Sequence, residues 1–208
     1  MRIVVFGASG GTGREVVAQA GAAGHEVTAV VRRAGSLGST QDGAERMRVV
    51  VAGFDDSAAL DDVVRGQEAV ISALGTNEKG PVRVCTEGTE AIVAAMHGNG
   101  VGRLVAVSAF GAQETHDRSL YSRAVWASLP DKMRDKETME AVIEASGLDW
   151  TIVRPTALSQ GRGTGTYRTG TDLTVRLWSR ISRADLASFL IAEVETPAFV
   201  GAFPRIAA

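Results

Sequence analysis

Residues 7 to 13 read Gly7-Ala8-Ser9-Gly10-Gly11-Thr12-Gly13, directly after the apolar run Ile3-Val4-Val5-Phe6 and directly before the helix-forming stretch Arg14-Glu15-Val16-Val17-Ala18-Gln19-Ala20. The order strand, glycine turn, helix makes a seat for a diphosphate. Gly7 permits a tight turn, Gly10 lets the backbone approach the anion, and Gly13 allows the helix to pack close to the strand. The free N–H groups of the first helical turn face the ligand there, so Ser9 and Gly11 are expected at the same seat.

Working outward, apolar runs of strand length recur at residues 3–6, 27–31, 48–51, 69–73, 104–107 and 150–153. Between them lie helical stretches at 57–64, with an N-cap serine, at 81–96, closed by Gly98 and Gly100, and at 131–145. Ser182 caps a last helix at 183–193. This alternation predicts an α/β fold, a doubly wound parallel sheet covered on both faces. The length of 208 residues suits one domain spanning 1–208. Residues 159–172, rich in glycine, threonine and arginine, read as a mobile loop that either covers a site or connects elements, and the stretch holding Tyr121 and Trp126 as irregular.

The 22 basic and 24 acidic residues nearly balance, which points away from nucleic acid and anionic membranes and toward a small-molecule ligand. The single cysteine, Cys85, rules out an intrachain disulfide and fits a reducing, cytoplasmic compartment; it lies mid-helix as a small core residue. No apolar stretch is long enough to span a membrane, and His25, His97 and His116 have no metal-ligand spacing, so no metal site is expected.

In an open parallel sheet the ligand lies beyond the carboxyl ends of the strands. After the second strand stand Arg32 and Arg33, where an NAD-specific site would place a carboxylate; guanidinium groups suit a 2′-phosphate and favour NADPH. Asp55, after the third strand, has two readings: an acceptor for an adenine amino group, or a helix cap. Leu74, Gly75 and Thr76 follow the fourth strand, where glycine lets backbone pass beside a ribose. Ser108 ends the fifth strand with a hydroxyl where a nicotinamide would arrive, although serine is also a common turn-former. Lys136, near the start of the next helix, is either a site residue or plain surface lysine. Pro155 and Thr156 end the sixth strand and are expected to leave backbone groups free for the carboxamide.

Together with Glu87-Gly88-Thr89, the run from Ser146 to Pro155 and Ile181-Ser182-Arg183-Ala184-Asp185, these stretches resemble the atypical short-chain dehydrogenase/reductases, and within them the biliverdin-IXβ/flavin reductases and bacterial NAD(P)H-binding relatives. The resemblance implies an NADP(H) cofactor contacted by Gly10, Thr12, Gly13, Arg14, Arg32, Asp55, Leu74, Gly75 and Thr76, with Ser108 beside the nicotinamide. One departure matters. The larger superfamily pairs a tyrosine with a lysine four residues on, but Tyr121 is followed there by Val125, and Tyr167 completes no such pair either. Hydride transfer from NADPH to a flavin, quinone or similar planar acceptor needs no such pair. The rival expectations are a redox sensor that binds NADP(H) and acts through a protein partner, and a carbonyl or sugar enzyme using Ser108 with Lys136.

Overall fold

A computed structural model describes residues 1–37, 47–78 and 80–208 of the chain. Strands β1 (Arg2–Phe6), β2 (Glu26–Val31), β3 (Met47–Val51), β4 (Ala69–Ser72), β5 (Arg103–Val107) and β6 (Asp149–Pro155) run parallel in one sheet, which β10 (Arg205–Ala207) and β8 (Arg168–Gly170) extend in the order β3-β2-β1-β4-β5-β6-β10-β8. Among the described strands, only β8 runs antiparallel to its neighbour. A separate parallel pair joins β7 (Ala157–Ser159) to β9 (Arg180–Ser182).

The unbroken apolar runs are explained by position. Every residue from Ile3 to Phe6 is fully buried, because β1 lies at the sheet centre with helices on both faces. Ile3 and Val5 face α1 (Gly11–Ala22) and α6 (Arg183–Glu195), packing with Val16, Val17, Ala20 and Leu190. Val4 and Phe6 point the other way, toward Leu60 of α2 (Ser57–Val64), Ile92 and Met96 of α3 (Val84–Asn99), and Met139 and Ile143 of α5 (Pro130–Glu144). Each such side chain contributes about 1.5–3 kcal/mol by leaving water. At the other extreme, edge strand β3 leaves Val49 and Val51 exposed.

Several expectations need correction. Asp56, not a serine, caps α2: its carboxylate accepts from the Ala59 amide at 3.0 Å. Helix α3 starts at Val84, three residues after Pro81, and runs on to Asn99, with Gly98 inside it and left-handed Gly100 as its stop. The stretch read as irregular contains α4 (Leu120–Ser128), capped by Ser119. There Trp126 donates to the Gly111 carbonyl and stacks on His116, while Tyr121 packs edge-on against Phe110, so both tie the segment down. The 159–172 region is not simply a loop: it holds β8, and the Thr164 and Gly165 amides both donate to the Asp185 carboxylate. No helix among the described residues is long and apolar enough to cross a membrane.

Candidate dinucleotide site

The sheet order reverses beside β1, whose neighbours are β2 on one side and β4 on the other, and a crevice opens at such a reversal beyond the strand ends. Here it is a cavity of about 760 Å³, lined by residues at the carboxyl ends of β1, β2, β4 and β5. That volume suits a cofactor.

The glycine turn builds one wall. Gly7 has φ +73°, and a Cβ there would stand 2.5 Å from the Ala73 carbonyl oxygen, so only glycine lets the turn press against β4. At Gly13 a Cβ would come within 2.2 Å of the Gly7 carbonyl oxygen; this residue lies under the turn and lets α1 pack against the strand. Gly10 and Gly11 line the cavity with Ser9 and Thr12. No side chain caps α1, which leaves its first-turn amides to an anion. The cradle therefore fits a diphosphate.

Arg32 and Arg33 reach the cavity from the end of β2, and Leu74, Gly75, Thr76 and Ser108 from the ends of β4 and β5. Lys136 lines it too, but in the second turn of α5, where its Nζ donates to the carbonyls of Leu74 at 3.0 Å and Val107 at 2.6 Å. It thus ties the ends of β4 and β5 together. Its neighbour Asp135 is buried, accepts from the Cys85 and Thr86 amides at 2.9 Å each, and so supplies the cap that α3 lacks from its own N-cap residue, Arg83. Cys85 is buried as expected, but at the second position of α3 rather than mid-helix, and burial pushes its thiol pKa up.

Besides Gly13, which lies under the turn, four expected residues stand outside the lining. Arg14 donates to the carbonyls of Ser9 and Ser36, bracing the glycine turn from behind. Asp55 is exposed and folds its carboxylate over Gly53, and Phe54 takes the place in the cavity wall. At Pro155 and Thr156 two backbone groups are already engaged: β6 continues through Pro155, whose carbonyl accepts from the Phe110 amide, and the Thr156 amide donates to the Ile206 carbonyl. Strand β10, with no apolar run to announce it, takes the Thr156 amide, and the segment after β5 takes the Pro155 carbonyl.

Behind Ser108 lies a buried ion network. Arg154 and Glu140 are both fully buried and joined by two hydrogen bonds of 3.0 and 2.7 Å, and Glu114 makes a further contact to the guanidinium, which also covers the Phe203 ring at 4.1 Å. Burial pushes the Glu140 carboxyl up, against the pull of Arg154. The Ser108 hydroxyl, itself buried, ends without a partner at hydrogen-bond distance, and Glu140 is near enough to feel its dipole. An unpaired buried hydroxyl at a cavity wall fits a ligand that completes its bonding.

Phe54, Lys132, Leu158 and Arg183 also line the cavity and were not singled out in the sequence. Arg183 carried a readable signal, a cation immediately after an N-cap serine, where a helix disfavours it. Lys132 and Leu158 carried none, since only the packing of α5 and β7 turns them inward.

A sequence model of the NAD(P)H-binding family matches residues 7–197. The chain is 27% identical to the uncharacterized protein YwnB of Bacillus subtilis (strain 168), over 95% of this chain and 93% of that one. Its fold is shared with ChuY, an anaerobillin reductase from Escherichia coli O157:H7, at a TM-score of 0.82 and 21% identity, covering 99% of this chain and 96% of that one. SP1627 of Streptococcus pneumoniae TIGR4, provisionally assigned as an NADH-flavin reductase, superposes with a TM-score of 0.79 at 22% identity, covering 100% and 99%.

Proposed function

The chain belongs to the NAD(P)H-binding family, and on that premise we propose that it is an NADPH-dependent oxidoreductase reducing a flavin, quinone or similar planar acceptor. The glycine turn holds the diphosphate, Arg32 and Arg33 hold the 2′-phosphate, and Ser108 meets the nicotinamide end. When bound, the dinucleotide supplies a hydride, and for acceptors of this class solvent supplies the proton.

The observation that carries this reading is that neither Lys136 nor Tyr121, the residues that would make a lysine or tyrosine proton donor, is free to serve as one. Lys136 is engaged by two carbonyls, at the ends of β4 and β5, and Tyr121 is packed on Phe110 outside the lining, where burial raises its hydroxyl pKa. Ketone reduction needs an acid at the reacting oxygen; planar acceptors do not. Reduction by ChuY and the assignment of SP1627 agree with such chemistry on this fold. The chain's own contribution is then positioning, which by itself supplies several kcal/mol. The lone buried thiol, Cys85, supports a reducing, cytoplasmic setting.

Steady-state NADPH consumption with free flavins, quinones and simple ketones tests the reading. Turnover with planar acceptors should exceed that with ketones, and Ser108→Ala should slow it by less than the roughly 10²–10⁴-fold expected for loss of a general acid. A fast ketone reaction that collapses in Ser108→Ala or Lys136→Ala would refute it. Tight NADPH binding without turnover of any acceptor would instead favour a sensor acting through a protein partner.

A further inference from the structure

Arg183 is a cation in a place that the fold alone makes unfavourable. It holds the first position of α6, directly after the Ser182 cap, where the helix dipole is positive. Its side chain does not relieve that cost by turning to a carboxylate. It lies across the N-terminus of α1, a second positive helix end, so closely that a Cβ on Gly11 would come within 2.7 Å of its Nε and 2.8 Å of its Cδ. Among the described residues it forms no ion pair. The nearby Asp185 carboxylate is occupied by Ser182, Thr164 and Gly165. Gly11 and Arg183 both line the cavity.

We propose that Arg183 is a second clamp on the diphosphate of the dinucleotide, held out by the C-terminal half of the chain over the uncapped amides of α1. An anion seated there offsets all three positive charges at once, the two helix ends and the guanidinium. The planar fork suits phosphate oxygens better than an ammonium does. Glycine at position 11 is required for this arm to lie flat, a reason for that residue separate from the turn geometry of Gly7 and Gly13.

The inference rests on the proposed cofactor, and calorimetric titration with NADPH and NADH separates the two. Arg183→Gln should weaken both cofactors alike, by roughly tenfold to a hundredfold, because the diphosphate is common to them. Arg183→Lys should fall between that variant and the wild type. Without ligand, Arg183→Gln should melt no lower than the wild type, since it removes a misplaced charge; a structural role would lower the melting temperature instead. Unchanged affinity for both cofactors, a loss confined to NADPH, or a destabilised ligand-free variant would each overturn the clamp and leave the cofactor reading standing. A wild-type protein that binds neither dinucleotide would remove the cofactor reading, and the clamp with it.

Discussion

Replacing Glu140 by Gln removes the carboxylate that holds the Arg154 guanidinium through bonds of 3.0 and 2.7 Å at a site where both side chains are fully buried. Breaking one partner from a buried pair costs about 3–5 kcal/mol, mostly because the other charge is stranded. Arg154 keeps Glu114, whose side chain is 56% exposed, and its contact with Phe203, so the lower end applies, about 3 kcal/mol. For a domain of this size that shifts the melting temperature down by roughly 6–12 °C. Urea denaturation with an unchanged m-value, paired with calorimetry, measures it. The double variant Glu140→Leu, Arg154→Met leaves no stranded charge and should recover most of the loss. A loss under about 1 kcal/mol in Glu140→Gln, or a double variant less stable than the single, would refute the assignment of a buried, mutually dependent pair.

Arg32→Ala should weaken NADPH by roughly ten- to a hundredfold and leave NADH little changed, because only NADPH carries the 2′-phosphate; equal affinities of the wild type for the two cofactors would contradict the reading of Arg32 and Arg33. Asp185 supports a test by pH. Burial raises its carboxyl pKa, but hydrogen bonds from Ser182, Thr164 and Gly165 outweigh that and hold it below the ordinary 3.8. A depressed carboxylate stabilises the fold above its unfolded value and loses that contribution as pH falls through the folded one. The Thr164 and Gly165 amide resonances should therefore titrate with a midpoint below pH 3.8, and a midpoint above 3.8 would show that Asp185 does not anchor this segment.

The central sheet was legible because buried parallel strands are apolar on both faces, and Ile3 to Phe6 advertise it residue by residue. The glycine turn was legible because steric need at Gly7, Gly10 and Gly13 leaves few alternatives. What stayed hidden depends on partners distant in sequence. Strands β8 and β10 are three residues each and have no apolar signature; β10 exists because β6 offers an edge, and β8 because β10 does. Pairing at the β6 edge is what engages the Thr156 amide. Lys136 lines the cavity, but its two carbonyl partners lie 62 and 29 residues away in sequence, a separation no local pattern encodes. Likewise Asp135 reads as a surface carboxylate in its own helix, and becomes a buried cap only when α3 packs against α5.

The most direct measurement is the anaerobic single-turnover oxidation of NADPH deuterated at the transferring position of the nicotinamide, mixed with protein and a free flavin. Direct reduction of a planar acceptor predicts that NADPH loss and flavin reduction proceed at one rate, that deuteration slows both, and that neither occurs at a comparable rate without protein. NADPH that binds yet stays reduced in the presence of flavin and quinone alike would contradict it.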